Sequence, residues 1–285
     1  MSDATTTTTG RAPTVYVPSA QALSTVLAPG SRPAGPNALA ASLTFGWRAL
    51  LKIKHVPEQL FDVTAFPIIM VLMFTYLFGG ALADSPRDYL QFFLPGIMVT
   101  SVVMITMYTG VGLNTDIEKG VFDRFRTLPV WRPAPLVGMI FGDVLRYVLA
   151  AVVILGVGLA LGFRPDGGPL GVLAGIGLLV VFSFAFSWVW TFFGLVLRSE
   201  KSVMGVSMMV LFPLTFLSNV FVEPTTMPGW LQAFVKVNPI TQLVASVRAV
   251  MSGTADPSAT MWTLLWSAGF VLVFGTLTMY RYNRR

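Results

Sequence analysis

The chain has 285 residues, 54% hydrophobic and 11% charged, with a mean hydropathy of +0.72 and a formal net charge of +6. Soluble domains carry about 25% charged residues, so this composition excludes a soluble, core-forming protein and indicates several membrane passes. The chain lacks cysteine, which excludes a disulfide framework, a thiolate nucleophile and a Cys-ligated metal, and its one histidine, His55, excludes a multi-His zinc site.

Residues 1–38 are rich in Thr, Ala, Pro and Ser and lack the apolar run of a secretory signal. They are expected to form a disordered cytoplasmic tail ahead of a membrane domain over 39–285. From Ala40 to Gln59 the pattern turns amphipathic: Leu43, Trp47, Leu50 and Leu51 share a face that avoids Arg48 and Lys52. A basic helix with a Trp anchor fits the inner membrane surface, and Pro57 is expected to close or kink it. Uncharged spans are predicted at 63–82, with Pro67 bending the first, and at 90–113.

The run Asp116 to Val130, DIEKGVFDRFRTLPV, is the densest charge in the chain. Charge of that density cannot lie in hydrocarbon. At helical spacing Ile117, Val121, Phe125 and Leu128 form one stripe, while Glu118, Phe122 and Arg126 form another that holds an aromatic between opposite charges. The geometry fits either an interfacial helix with Phe122 in lipid or a docking element presented to a partner.

The third span, about 136–163, is the one with charges inside it, Asp143 and Arg146 at i, i+3. Intramembrane charges are functional candidates, but this pair lies near the cytoplasmic end, where Arg146 can snorkel and bond Asp143; a structural pair is favoured over a transport role. The turn RPDGG leads to a span at 170–197, and small-xxx-small pairs at Gly138/Gly142, Gly158/Gly162 and Gly171/Gly175 predict that spans three and four pack as a hairpin. Span five is expected at 202–222. Two short interfacial or re-entrant helices follow, GWLQAFVKV after Pro228 and ITQLVASVRAV after the Asn238–Pro239 cap. Span six is predicted at 259–280.

Six spans put both termini on one side. With that side cytoplasmic, fifteen of the nineteen Lys and Arg are retained inside, which sets the orientation and makes a nucleic-acid role unnecessary to explain the charge. The Asp116 segment is then cytoplasmic. No GxxxxGK[ST] occurs, nor even the dipeptide GK, so the chain has no loop to cradle nucleotide phosphates. His55 lies beside Lys54 without a placed carboxylate, so no Ser-His-Asp site is assigned to it.

This order of elements resembles the ABC-2 type permeases, specifically the daunorubicin/doxorubicin resistance permease family. The runs that carry the resemblance are WRALLKIKHVPEQLFDVTAFPI (Trp47–Ile68), NTDIEKGVFDRFRTLPVWRP (Asn114–Pro133), LGFRPDGG (Leu161–Gly168) and MPGWLQAFVKVNPITQLV (Met227–Val244). It covers nearly everything from Ala40 onward. The resemblance implies an all-α integral membrane protein of the ABC-2 (type V exporter-like) permease fold: six transmembrane helices, an amphipathic N-terminal surface helix, a cytoplasmic coupling helix and two short external helices. It implies a bacterial inner-membrane exporter subunit working as a homodimer with two copies of a separate ATP-binding subunit, which would hold ATP and Mg; no cofactor is expected on this chain.

Carried onto this sequence, the coupling set is Glu118, Lys119, Phe122, Asp123 and Arg126, with Phe122 as anchor and the flanking charges setting register. The implied cargo is an amphipathic, anthracycline-like drug, which calls for aromatic and soft apolar walls. The pathway candidates are Trp188, Trp190, Phe186, Met208 and Asp143, the last as a partner for a drug amine. Rival readings are a lipid or glycolipid cargo, and a membrane sensor or assembly subunit using the same cytoplasmic helix. An intramembrane enzyme ranks last, because Asp143 and Arg146 are the only polar cluster in the predicted spans.

Overall fold

The computed structural model of the chain describes residues 37, 44, 46–47, 57–82, 85–121, 133–221, 227–254 and 256–284. The predicted tail lies almost wholly outside the described residues, as do Leu43, Arg48, Leu50, Leu51, Lys52 and His55 of the surface helix. Trp47 is described; it is helical and exposed.

Among the described residues every regular element is a helix. The elements are α1 (Pro57–Leu82), α2 (Pro86–Ile105), α3 (Met107–Glu118), α4 (Ala134–Leu161), α5 (Gly168–Val196), α6 (Glu200–Phe216), α7 (Gly229–Val237), α8 (Pro239–Met251), α9 (Pro257–Phe270) and α10 (Thr276–Arg284), the last two joined by a π-helical turn, Val271–Gly275. Among the described residues, four stretches are long and apolar enough to cross a membrane: Pro86–Glu118, Ala134–Leu161, Gly168–Val196 and Pro257–Arg284. α1 contains the shorter apolar run Thr64–Gly80. Pro57 opens α1, in keeping with its missing N–H and fixed φ; the segment before it, which it was expected to close or kink, lies outside the described residues.

The α2–α3 rod is the centre of the molecule. Ser85 caps it, its Oγ accepting from the Asp88 N–H at 3.2 Å. Its 33 residues make it about 50 Å long, against about 30 Å of hydrocarbon. Its most apolar stretch is 83% buried by other helices, whereas that of Pro257–Arg284 is 17% buried and faces outward. Leu90, Phe93, Leu94, Met98, Val99 and Val102 form the heart of the core.

The bundle has two distinguishable ends. At the upper end the Gln91 side-chain amide donates to Gly162 O at 3.2 Å, and the Gly167 N–H donates to Met251 O at 2.9 Å. At the lower end Leu113, Leu136, Leu195 and Tyr282 form a small buried cluster with Ile117, Met139 and Met279 around it.

Span five departs from its expected 202–222. α6 has 17 residues, about 26 Å, and the chain bends irregularly over 217–221 while Ser218, Asn219 and Val220 stay buried. Pro213 removes one ladder donor inside α6. The carbonyls left open beyond it find other donors: the Asn238 amide bonds Leu214 O at 2.7 Å and Leu217 O at 2.8 Å, and Arg248 bonds Asn219 O at 3.2 Å.

The two short helices form as predicted. Asn238 Oδ1 accepts from the Ile240 N–H at 2.9 Å, Pro239 sits in the first turn, and α8 buries Ile240, Leu243, Val244 and Val247. Ser246 and Thr263 share a hydrogen bond at 3.0 Å, and α8 packs against α9 within the bundle.

The glycine reading needs correction. α4 and α5 do touch, but their small-residue pairs do not make the seam. A Cβ at Gly158 would meet Leu94 of α2, and one at Gly171 would lie 2.3 Å from Val250 O of α8. The tightest crossing in the lower half joins α3 to α5: a Cβ at Gly110 would lie 2.3 Å from Trp190 O, and one at Gly194 would lie 2.5 Å from Gly110 O. Spacing identifies small residues but does not say which helix they admit.

Candidate coupling and transport site

The Asp116 segment divides differently from its sequence pattern. Asp116, Ile117 and Glu118 are the last turn of α3, and Asp116 is buried. Glu118 and Lys119 are exposed. The Lys119 N–H donates to Thr115 O and the Gly120 N–H to Ile117 O, both at 3.0 Å, and Gly120 has φ +66°. That left-handed residue ends the helix. The helix that carries Glu118 therefore stops at Gly120. Phe122, Asp123 and Arg126 lie outside the described residues.

Asp143 and Arg146 do form a pair, with Arg146 Nη1 at 3.0 Å from Asp143 Oδ1. Arg146 does not snorkel. Both side chains are 7% exposed, and the guanidinium lies 6.0 Å from the centre of the Tyr108 ring. Burial is tolerable because the pair belongs to a larger polar set. Thr109 Oγ1 donates to Asp143 Oδ2 at 2.6 Å. One residue beyond Arg146, the Tyr147 hydroxyl lies 2.6 Å from Ser187 Oγ and 3.4 Å from Thr109 Oγ1. Trp190 Nε1 donates to Thr106 Oγ1 at 2.8 Å. Asn114 Nδ2 donates to Gly194 O at 3.0 Å and to Leu197 O at 2.8 Å, and Thr115 Oγ1 donates to Glu200 Oε2 at 2.9 Å. The lower half of α3 is thus bonded to α4, to α5 and to the start of α6.

Sequence reasoning missed Thr106, Thr109, Tyr147 and Ser187. One signal was available: Ser183, Ser187 and Thr191 recur at i, i+4, i+8 in an otherwise apolar span, marking one face as inward.

The five pathway candidates are not brought together. Trp190 and Phe186 are core residues in an edge-to-face pair 5.3 Å apart, and Phe186 also meets Phe270 at 5.0 Å. Trp188 is buried, and among the described residues its indole N–H has no hydrogen-bond partner. Asp143 is occupied by Arg146 and Thr109. Met208 is exposed on α6, beside the more exposed Met209.

Three cavities among the described residues lie elsewhere. One of about 260 Å³ opens at the upper end between Gln91, Arg164, Asp166, Arg248 and Ser252. Apolar furrows of about 500 and 470 Å³ flank α9 and share Leu264. None of the five candidates lines any of the three.

Comparison with known proteins agrees with this architecture. The profile of the family described as ABC-2 type transporter matches residues 41–252. The daunorubicin resistance ABC transporter permease protein DrrB1 of Streptomyces coeruleorubidus is 53% identical over 92% of this chain and 93% of its own. The probable doxorubicin resistance ABC transporter permease protein DrrC of Mycobacterium tuberculosis is 25% identical over 90% of this chain and 93% of its own. The inner membrane transport permease YadH of Escherichia coli is 24% identical over 67% of this chain and 75% of its own.

Proposed function

The chain belongs to the ABC-2 type transporter family, and on that premise we propose that it is the transmembrane subunit of an ATP-driven exporter of amphipathic, anthracycline-like drugs. The observation that carries the reading is the 53% identity, across 92% of the chain, to a daunorubicin resistance permease. An independent argument supports it: the sequence has no loop for nucleotide phosphates, so the energy comes from another chain. Two copies of this chain work with two copies of an ATP-binding subunit, and ATP and Mg bind that subunit.

Six passes in a bacterial cell membrane, with both termini cytoplasmic, fit the retention of fifteen of nineteen basic residues on one side. α1 and α6 are the two shorter passes. Glu118, Lys119, Phe122, Asp123 and Arg126 form the contact with the ATPase. This reading draws on the exposure of Glu118 and Lys119 at the end of a helix longer than the hydrocarbon is thick. Closure of the ATPase dimer displaces that end, and the displacement changes which side of the membrane the pathway opens to. Met208 suits a pathway wall because it is exposed and adaptable. Phe186, Trp188, Trp190 and Asp143 instead act from inside the bundle.

The test is ATP-dependent doxorubicin accumulation in everted vesicles holding this chain and its ATPase, with a Walker-lysine variant of the ATPase as control. Accumulation that disappears in the control is expected. A complex that hydrolyses ATP but accumulates no drug would move the cargo to a lipid or glycolipid.

A further inference from the structure

The segment between Lys119 and Pro133 leaves from α3 and returns into α4. These two helices are bonded to each other inside the bundle, and both are bonded to α5. Thr109 of α3 holds Asp143 of α4 at 2.6 Å, Tyr147 of α4 holds Ser187 of α5 at 2.6 Å, and Trp190 of α5 holds Thr106 at the top of α3 at 2.8 Å. Asn114 adds bonds to Gly194 O and Leu197 O at the bottom. From Thr106 to Asn114 these ties extend over about 12 Å of helix. Between them the Gly110–Gly194 crossing brings the α3 and α5 backbones together.

Buried hydrogen bonds of this kind are directional, and breaking one strands a polar group away from water. Apolar helix faces slide and repack at less cost. The bonded part of α3, α4 and α5 therefore shifts as one body. Its upper limit coincides with the one break in the central rod. At Thr106 the backbone tightens: the Thr106 N–H bonds Val103 O at 3.1 Å, and the Thr109 N–H bonds Thr106 O at 3.2 Å. A short tight turn inside a long helix is a common hinge position.

We propose that Asp143, with Arg146, Thr109, Tyr147 and Ser187, is the transmission joint of the exporter. It carries displacement of the α3 end into α4 and α5, with Thr106 as the pivot. Asp143 and its partners are positioning residues and not ligands of the drug. The inference rests on the export reading above and assigns a role within it.

The experiment uses the same vesicles with the paired change Thr109→Val and Tyr147→Phe, each removing hydrogen-bonding capacity with little change of shape. At equal amounts of assembled complex, ATP hydrolysis should stay within about two-fold while drug moved per ATP falls about ten-fold. The doxorubicin concentration for half-maximal uptake should not change. Thr109→Ser should keep the wild-type ratio, and so should Thr191→Val, because the Thr191 hydroxyl bonds Ser187 O of its own helix.

An unchanged ratio in the paired variant, with the unaltered complex exporting drug, would overturn the joint and leave the export reading standing. A raised half-maximal concentration with the ratio intact would also overturn it, by making the cluster a drug ligand. Should the paired variant fail to assemble, Tyr147→Phe alone is read by the same two criteria. An unaltered complex that moves no drug would remove the export reading, and the joint with it.

Discussion

The lower and upper halves of the bundle are held together by different means. In the lower half, side chains bond side chains across helices: Asp143 to Thr109, Tyr147 to Ser187, Trp190 to Thr106, Thr115 to Glu200. In the upper half the contacts are chiefly close apolar packing and long side chains reaching main-chain carbonyls. Gly158 lies on Leu94, Gly171 on Val250 O, Asn238 on Leu214 O and Leu217 O, and Arg248 on Phe92 O and Asn219 O. The difference separates two tasks. A network of short polar bonds fixes helices in register. A chain that stops being helical at Phe216 and borrows its hydrogen bonds from Asn238 and Arg248 has a local point of yielding. Under the proposed coupling, force entering from the Glu118 end would meet the fixed half first and be released in the half that can rearrange.

The variant that should disturb the comparison most is Gly110→Val. Its Cβ would press on the Trp190 main chain at 2.3 Å, and backbone there cannot step aside, so a loss of about 3 kcal/mol or more is expected in thermal unfolding in detergent. Arg146→Met comes next. It leaves Asp143 buried without its ion partner and should cost about 3–5 kcal/mol, most of it recovered when Asp143→Leu is added.

In the upper half, Asn238→Ala removes a helix cap and two carbonyl contacts, and should cost about 2 kcal/mol with faster amide exchange confined to 214–221 and α8. Tyr147→Phe should cost only about 1 kcal/mol, which makes it the cleanest separation of stability from coupling. Met209→Ala, at a side chain 79% exposed, should stay within about 0.5 kcal/mol of wild type.

Much of the upper half was readable from the sequence. The Asn238–Pro239 cap, Pro228 ahead of an apolar run, and the glycines after Leu161 each signal backbone geometry locally, and α7, α8 and the 162–167 turn follow them. The end of span five was hidden because residues 217–222 remain mostly apolar, so hydropathy runs on where the helix stops; Ser218 and Asn219 were the polar clues. The lower half was harder to read. Hydroxyl groups such as Thr106, Thr109 and Ser187 barely lower the hydropathy of a span, and their partners lie 34 to 84 positions away. Asp143 and Arg146 were visible as charges, but the burial of Arg146 comes from packing against another helix, with Tyr108 of α3 beside it, and not from its own helix. The charged run after Asn114 suggested a helix through Glu118, Phe122 and Arg126; Gly120, which ends α3, carried the opposite signal.

The most direct test of this division is amide hydrogen exchange on the complete complex with its ATPase, nucleotide-free and trapped with ATP. Exchange should change in 214–221 and 229–238. Residues 110–114, 143–147 and 187–194 should keep the same protection in both states. New exchange in 110–114 with 214–221 unchanged would contradict the division: the bonded half would then be the part that yields.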